Sequence, residues 1–365
     1  MNVLFAGGGT GGHLYPGLAI ARALERRRSP VGIHFIGARR GIERDILPAT
    51  GYAHTLVDAH PLYRNRVWRN WRTVAGAESA WRDVGRVAAD FRPDIVVGTG
   101  GYASGVALAW AAAHRRCIVQ HIGDSQPGAT ARLFARFSTE AYLGFPEAER
   151  SLPRGRCVYV VTGNPIEPPP DIRPARSDAR VRWGFPASAR VLLVFGGSQG
   201  ARALNVATLG FIERGLPESL CVIWATGKAH YDVYKSFDRP DVRVVPYLSP
   251  ISEAYAAADI ALVRGGMMGT SELCAWGVPM IICPLPTAAH DHQTENARSL
   301  EAAGAALHLP QAELSAERVG AVVTALIGDE GRLAVLARGA LSRGRPHAAD
   351  EIAARIVELA GNGSH

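Results

Sequence analysis

The residues of this sequence that could do chemistry are concentrated in three glycine-rich stretches. Gly7 to Gly12 carries Thr10 and runs directly into His13. Gly98 to Gly105 reads GTGGYASG, and Gly196-Gly197-Ser198-Gln199-Gly200 carries a serine. Glycine tolerates positive φ and lets backbone N–H groups approach an anion closely. A helix after such a loop adds about half a unit of positive charge at its N-terminus. Each loop is therefore equipped for a phosphate, with Thr10 and Ser198 as hydroxyl donors, although the same turns could close without a ligand. The spacing is not that of a Walker A loop, because no Lys-Ser/Thr follows the glycines. The run Val31 to Ile36 also ends without the acidic residue that holds the ribose of NAD.

Other side chains add chemistry of their own. His13, with an unperturbed pKa of about 6.5, suits removal of a proton from an attacking hydroxyl. Phosphate close by favours the imidazolium instead, which makes an orienting or charge-stabilising role the alternative. Glu272 follows a glycine-rich turn and Thr270-Ser271. A carboxylate there can accept from both hydroxyls of a ribose, or simply favour the start of a helix. His290, Asp291, His292 and Gln293 tempt a metal reading, but the 290/292 pair lacks the i, i+4 spacing of helical ligands and no Cys or acidic cluster joins it. No D-x-D pair stands ready for a cation–diphosphate. Neither metal nor cofactor is expected, and leaving-group charge falls to backbone amides and helix ends.

These groups need a scaffold that delivers several loops to one edge. Short apolar runs alternate with helical patterns, the signature of a parallel α/β layer. The expected strands are Val3 to Ala6, Val31 to Ile36, Ile95 to Val97, Cys117 to Gln120 and Val158 to Val161. A second set comprises Val191 to Phe195, Val222 to Ala225, Val242 to Val245, Ile260 to Val263 and Met280 to Cys283. Several enter a glycine-rich turn at the C-terminal end, where open α/β sheets bind ligands. VLLVFGGSQGARALN echoes NVLFAGGGTGGHLYPGLAIA, so each half begins with strand, glycine loop and helix. Between them a stretch rich in proline (Pro165, Pro168, Pro169, Pro170, Pro174) reads as a stiff connector. The expected organisation is a Rossmann-like domain over 1–163, a linker over 164–178, a second Rossmann-like domain over 179–340, and a helix with a flexible tail over 341–365. That helix could pack on either domain.

Bulk properties exclude more than they select. With 365 residues, 47% hydrophobic and 20% charged, the chain has enough apolar material for two cores. The net charge of +7 is carried almost wholly by Arg, Lys occurring only at Lys228 and Lys235. It fits an anionic partner without choosing one. Five cysteines without a C-x-x-C pair read as reduced core residues. The N-terminus enters a strand at once, so no signal peptide is expected. The longest apolar run, Val106 to Ala113, is far short of the roughly 20 residues of a spanning helix. Membrane contact would be peripheral, and PLYRNRVWRNWRTV offers a means. As a helix it gathers Val67, Trp68, Trp71 and Val74 on one face, flanked by Arg64, Arg66, Arg69 and Arg72, a composition that settles into anionic bilayer surfaces. An ordinary helix packing its Trp inward fits the same pattern. Nucleic acid does not, since no recognition module accompanies the Arg and Trp residues.

GGGTGGHLYPGLAIA, GTGGYASG, TGNP, FGGSQGARALN and RGGMMGTSELCAWGVPMIICPLPTAAHDHQTENA occur in one order from Met1 to about Pro310. Together they resemble the MurG family, the UDP-N-acetylglucosamine–N-acetylmuramyl-(pentapeptide) pyrophosphoryl-undecaprenol N-acetylglucosamine transferases. The resemblance implies a GT-B fold, two Rossmann-like parallel-sheet domains facing across a cleft. It implies metal-independent, inverting transfer of GlcNAc from UDP-GlcNAc to the 4-hydroxyl of the muramyl sugar of lipid I, giving lipid II at the cytoplasmic face of the inner membrane. Carried over by position, Thr10, Gly11 and Gly12 match the first donor-contacting loop and His13 the acid–base candidate. Ser198 matches a residue on the donor phosphate, and Leu248 a backbone group that reads uracil. Met267, Met268, Gly269, Thr270, Ser271 and Glu272 match the segment around the nucleotide, with Glu272 on the ribose. His292 and Gln293 face the sugar, and Asn205 is a further active-site polar group. Tyr102, Asn164, Gln199 and Asn296, within the same motifs, join the substrate-binding set. Three positions depart: Asp124 replaces an Asn, Glu167 stands where an Arg is usual, and His292 where many members have Gln. Rival readings are a related transferase with another UDP-sugar or lipid acceptor, a non-catalytic nucleotide-sugar-binding recruiter, and a nucleotide-sugar 2-epimerase.

Overall fold

The computed structural model describes residues 1–60, 70–197 and 199–362, with side chains from 76 onward in the helix that begins at 70 and up to 361 in the last one. Ser198, Val67, Trp68 and Arg69 lie outside the described residues, as do the side chains of Trp71 and Arg72. The chain divides into two compact units, Met1–Glu167 with His347–His365, and Pro168–Pro346.

The first unit is built on seven parallel strands: β1 (Asn2–Gly7), β2 (Gly32–Ala38), β3 (Ala53–Val57), β4 (Ile95–Gly100), β5 (Cys117–Ile122), β6 (Glu140–Leu143) and β7 (Val158–Val161). Their spatial order is β3-β2-β1-β4-β5-β6-β7. The second unit has six: β8 (Arg190–Phe195), β9 (Leu220–Ala225), β10 (Val242–Val245), β11 (Ile260–Val263), β12 (Met280–Ile282) and β13 (Ala306–His308), in the order β10-β9-β8-β11-β12-β13. All pairings within both sheets are parallel. Parallel strands covered on both faces need continuous apolar side chains, and Val3 to Ala6 and Val191 to Val194 are each no more than 1% exposed. This is the α/β class expected from the alternation of runs.

Three strands have no counterpart among the expected ones. β3 is AHTLV, an edge strand with polar alternation; β6 is EAYL, opened by a glutamate; β13 has only three residues. None is an apolar run, which is the signal by which the other ten are recognised.

Both sheets reverse their direction of growth once, between β1 and β4 in the first unit and between β8 and β11 in the second. At such a switch point the two helices leave on opposite faces, and the crevice beyond the strand ends is where ligands bind. The loops after β1 and β4 are the first and third glycine stretches. The loops after β8 and β11 are Gly196 to Gly200 and Arg264 to Gly266.

The last helix, Ala348–Asn362, belongs to the first unit. Ile352, Ala353 and Ile356 are buried with Leu14, Leu18 and Ala21 of the helix Gly11–Arg27. Arg355 grips Glu140 of β6 with two hydrogen bonds of 2.8 and 2.9 Å. In the second unit, Arg173 of the proline-rich stretch donates to the carbonyls of Trp276 and Ala275 at 3.0 and 2.8 Å, its guanidinium over the Trp276 ring. Asp259, buried just before β11, accepts from both Arg180 (2.9 and 2.8 Å) and the backbone N–H of Val191 (2.8 Å). All five cysteines are unpaired, and four of them are buried.

Candidate functional sites

In the first unit the chain leaves β1 through Gly8 and Gly9, with φ of 151° and 94°, and enters the helix at Gly11 with Thr10 as its extended N-cap. The Thr10 hydroxyl lies 3.2 Å from Nδ1 of His13. The third glycine stretch packs directly on this turn. Gly8 N–H donates to the Gly100 carbonyl at 3.3 Å, and the Thr99 hydroxyl donates to the His13 carbonyl at 2.6 Å. A Cβ on Gly100 would stand 2.7 Å from the His13 ring, and one on Gly9 would stand 2.8 Å from the Tyr102 ring. Thr10, Gly11, Gly12, His13 and Tyr102 are thereby brought together.

Beneath the loop lies a residue that the sequence reading did not single out. Glu43 is completely buried, and its Oε1 accepts from Gly9 N–H at 2.6 Å and from Ala38 N–H at 3.3 Å. Gly8 and Gly41 leave the room it needs, since a Cβ at either would overlap the carboxylate. Oε2 makes no hydrogen bond. One amide of the first glycine loop therefore serves an internal carboxylate rather than a ligand, and the anion-binding capacity shifts to the first-turn amides after Thr10.

A second missed residue is His121, at the end of β5. It is 2% exposed, and burial pushes its pKa down to about 4; the neighbouring His13 lowers it too, while its hydrogen bond to Asn164 and the charge of Asp124 raise it. Its Nε2 lies 3.0 Å from Asn164 Oδ1, and Asn164 Nδ2 donates to the Gly123 carbonyl at 3.1 Å. The imidazole is thus a neutral Nε2–H donor at pH 7, linking Asn164 and Asp124 to the surroundings of His13. Glu167 is exposed at the end of the unit.

In the second unit Gly200, at φ 74°, backs onto the Thr226 carbonyl so tightly that a side chain would overlap it. Asn205, four residues into the following helix Arg202–Glu213, is bound within the core of the unit. Its amide donates to the Thr226 carbonyl (2.9 Å) and accepts from Trp224 Nε1 (3.0 Å), and the residue is buried. Gln199 and Gly200 border a cavity of about 1030 Å³ whose lining includes Arg202, Arg264, Leu285 and Gln293. Arg264 is held by the Cys283 and Pro284 carbonyls, both at 3.0 Å, and by Gln311 Oε1 at 2.7 Å. Gln293 Oε1 accepts from Leu285 N–H at 2.9 Å. Asn296 is fully buried and ties its helix, His292–Ala302, to the Gly265 carbonyl at 3.0 Å. His290 and Asp291 just before that helix have φ of 56° and 55°, left-handed conformations that cost energy in non-glycine residues.

After β11 the helix Met267–Trp276 starts at Gly266. Met267 and Thr270 are buried, the Thr270 hydroxyl donating to the Gly266 carbonyl at 3.0 Å, while Ser271 and Glu272 are half-buried. Gly269 lies against the Phe195 ring at the end of β8. Tyr255 donates to Glu272 Oε2 at 2.6 Å. Leu248 is buried in the segment after β10. Among the described residues no three or more His, Cys, Asp or Glu side chains are grouped to hold a metal ion.

Two switch-point sites on two parallel sheets define an α/β protein that holds ligands beyond its strand ends, and comparison with known proteins shows it to be a glycosyltransferase. Residues 3–143 match the glycosyltransferase family 28 N-terminal domain, and residues 191–352 match the family 28 C-terminal domain. A protein of Salinibacter ruber is 39% identical over 98% of this chain and 97% of its own length, and one of Moorella thermoacetica is 36% identical over the whole of both. Both bear the name UDP-N-acetylglucosamine--N-acetylmuramyl-(pentapeptide) pyrophosphoryl-undecaprenol N-acetylglucosamine transferase. The crystal structure of Acinetobacter baumannii MurG superposes with a TM-score of 0.77 at 23% identity, covering 98% of this chain and 99% of that one. The chain belongs to the MurG family of N-acetylglucosaminyltransferases.

Proposed function

We propose that the chain transfers N-acetylglucosamine from UDP-N-acetylglucosamine to the 4-hydroxyl of a lipid-linked N-acetylmuramyl-pentapeptide, forming the disaccharide-lipid precursor of peptidoglycan with inversion at the anomeric carbon. The observation that carries this reading is the second unit's switch point. There a glycine loop, Gln199 and Gln293 open on one cavity, and a half-buried Glu272 stands on the helix that starts after β11. Such a place suits a nucleotide diphosphate whose sugar faces amide side chains. Leu248 would meet the uracil through its backbone, Glu272 the ribose, Ser198 and the loop amides the diphosphate, and His292 and Gln293 the sugar.

The first unit then handles the acceptor. The attacking hydroxyl gives up its proton as the new glycosidic bond forms and the bond to UDP breaks, and His13 would take it. Thr10 holds the imidazole by the contact at Nδ1. A neutral His121 nearby adds no positive charge and so lets His13 act as a base. Charge on the departing diphosphate is met by main-chain amides and helix ends.

No described helix is long and apolar enough to cross a membrane. The lipid acceptor would be reached by peripheral binding, with Trp68, Trp71, Arg69 and Arg72 facing an anionic surface on the cytoplasmic side of the inner membrane. The decisive assay incubates the purified chain with UDP-N-acetylglucosamine and a lipid I analogue in the presence of a chelator. Disaccharide-lipid and UDP are expected in equal amounts. UDP binding without turnover would point to a recruiter, and a 2-epimerised sugar released without acceptor to an epimerase.

A further inference from the structure

The Tyr255 hydroxyl donates to Glu272 Oε2 at 2.6 Å. Tyr255 is 2% exposed on the short helix Ile251–Ala257. Its ring is held between Phe195 and Trp276, each with centroids 6.2 Å away. Packing therefore fixes where the hydroxyl points. Burial, the Glu272 charge and the hydrogen bond itself raise its pKa well above the ordinary value, so the hydroxyl stays a donor across the working pH range. Glu272 is only half-buried. One of its oxygens is thus turned inward onto a fixed donor, which sets the orientation of the whole carboxylate.

We propose that Tyr255 is a positioning residue that makes Glu272 read the ribose, so that the pair sets a preference for ribonucleoside over 2′-deoxyribonucleoside diphosphates. This rests on the placement of the UDP ribose against Glu272 given above. A rotating carboxylate would average its contact with a sugar hydroxyl; a clamped one presents a directed, charged acceptor, the stronger kind of hydrogen bond. A ligand lacking the hydroxyl forfeits that contact, which is how a site rejects an analogue that is merely smaller.

UDP and 2′-deoxy-UDP differ by one hydroxyl and share base and phosphates, so calorimetry with both isolates the contact. The wild-type chain is expected to bind UDP at least about tenfold more tightly than 2′-deoxy-UDP. Tyr255→Phe deletes a single oxygen and keeps the ring. It is expected to bring the ratio below about threefold by weakening UDP alone, and to raise KM for UDP-N-acetylglucosamine far more than it lowers kcat. A ratio still near tenfold in Tyr255→Phe overturns the proposal and leaves the ribose assignment standing. A wild-type ratio near one overturns the ribose assignment itself. Glu272→Gln keeps Tyr255 in place and decides the matter if Tyr255→Phe does not fold. Its carbonyl oxygen is taken by Tyr255 and an NH₂ group faces the sugar, so the preference is expected to collapse; a tenfold preference retained there overturns both assignments.

Discussion

The glycine loop after β1 and the one after β8 follow the same kind of strand and lead into the same kind of helix, yet different groups lie beneath them. The first rests on the buried carboxylate of Glu43, which takes the Gly9 amide. The second leans on the Thr226 carbonyl and opens on a cavity whose lining includes Arg202 and Arg264. A diphosphate brings about two negative charges, and opposite charges attract while like charges repel in proportion to their closeness. The second loop suits that ligand, and the first suits a neutral sugar hydroxyl with a histidine beside it. Similar motifs at equivalent switch points are thus specialised by what the fold puts behind them.

If the two loops divide the labour in this way, His13→Ala should be the most damaging single change to turnover. Loss of a positioned proton acceptor lowers rates by about 10²- to 10⁴-fold, and that fall is expected in kcat. UDP affinity should stay within about twofold if, as proposed, His13 serves the acceptor and not the nucleotide. Calorimetry and steady-state kinetics on one preparation check both halves. A matching loss of UDP affinity would erase the distinction between the loops.

Glu43→Ala tests the brace. It removes the acceptor of the part-buried Gly9 amide and empties a site shaped by Gly8 and Gly41. Leaving a donor without its acceptor costs on the order of 1 kcal/mol or more, rising with burial. Denaturant unfolding followed by a probe in the first unit should show that loss, together with lower turnover. Gly200→Ala in the second loop should instead weaken UDP binding, since φ 74° and the Thr226 carbonyl both resist a side chain.

Acid should distinguish the units as well. His121 has its folded pKa lowered from 6.5 to about 4, so its neutral form is favoured in the folded state. The stability this contributes is fully present above the unfolded value and is lost as pH falls from about 6.5 toward 4, because the unfolded chain then takes the proton more readily. Between pH 7 and pH 5 the loss is about 2 kcal/mol. None of the histidines in the second unit is buried, so the effect belongs to the first. His121→Asn should flatten the pH dependence of unfolding over that window.

The loops, ten of the thirteen strands and the α/β class were legible because each is a local pattern: a short apolar run, several of them ending in glycine. What was not legible depends on residues far apart in the chain. Glu43 meets Gly9 across 34 positions, Arg355 meets Glu140 across 215, and nothing near either glutamate in sequence announces the partner. Tyr255 and Glu272 are 17 apart on two helices separated by β11, a distance at which periodicity carries no information. His121 lay in plain view at the end of a strand, but burial, not residue type, gives it its neutral state.

Asn205 provides the smallest expected effect on ligand binding and the sharpest check on reading a motif by position. Its place in GGSQGARALN suggests a group on the ligand. In the fold its amide joins the helix after the second glycine loop to the end of β9, through the Thr226 carbonyl and the Trp224 indole. Thr226 is the same residue whose carbonyl supports Gly200, so Asn205 acts on the loop through the core beneath it. Asn205→Ala should cost about 1–3 kcal/mol of stability by stranding the buried Trp224 donor. At temperatures where the variant remains folded, its affinity for UDP should lie within about twofold of wild type, since the amide is already used inside the protein. A tenfold weakening of UDP binding with unchanged stability would mean that the side chain leaves the core to meet the nucleotide. The second loop would then be completed by its ligand, whereas the first is held in advance by Glu43.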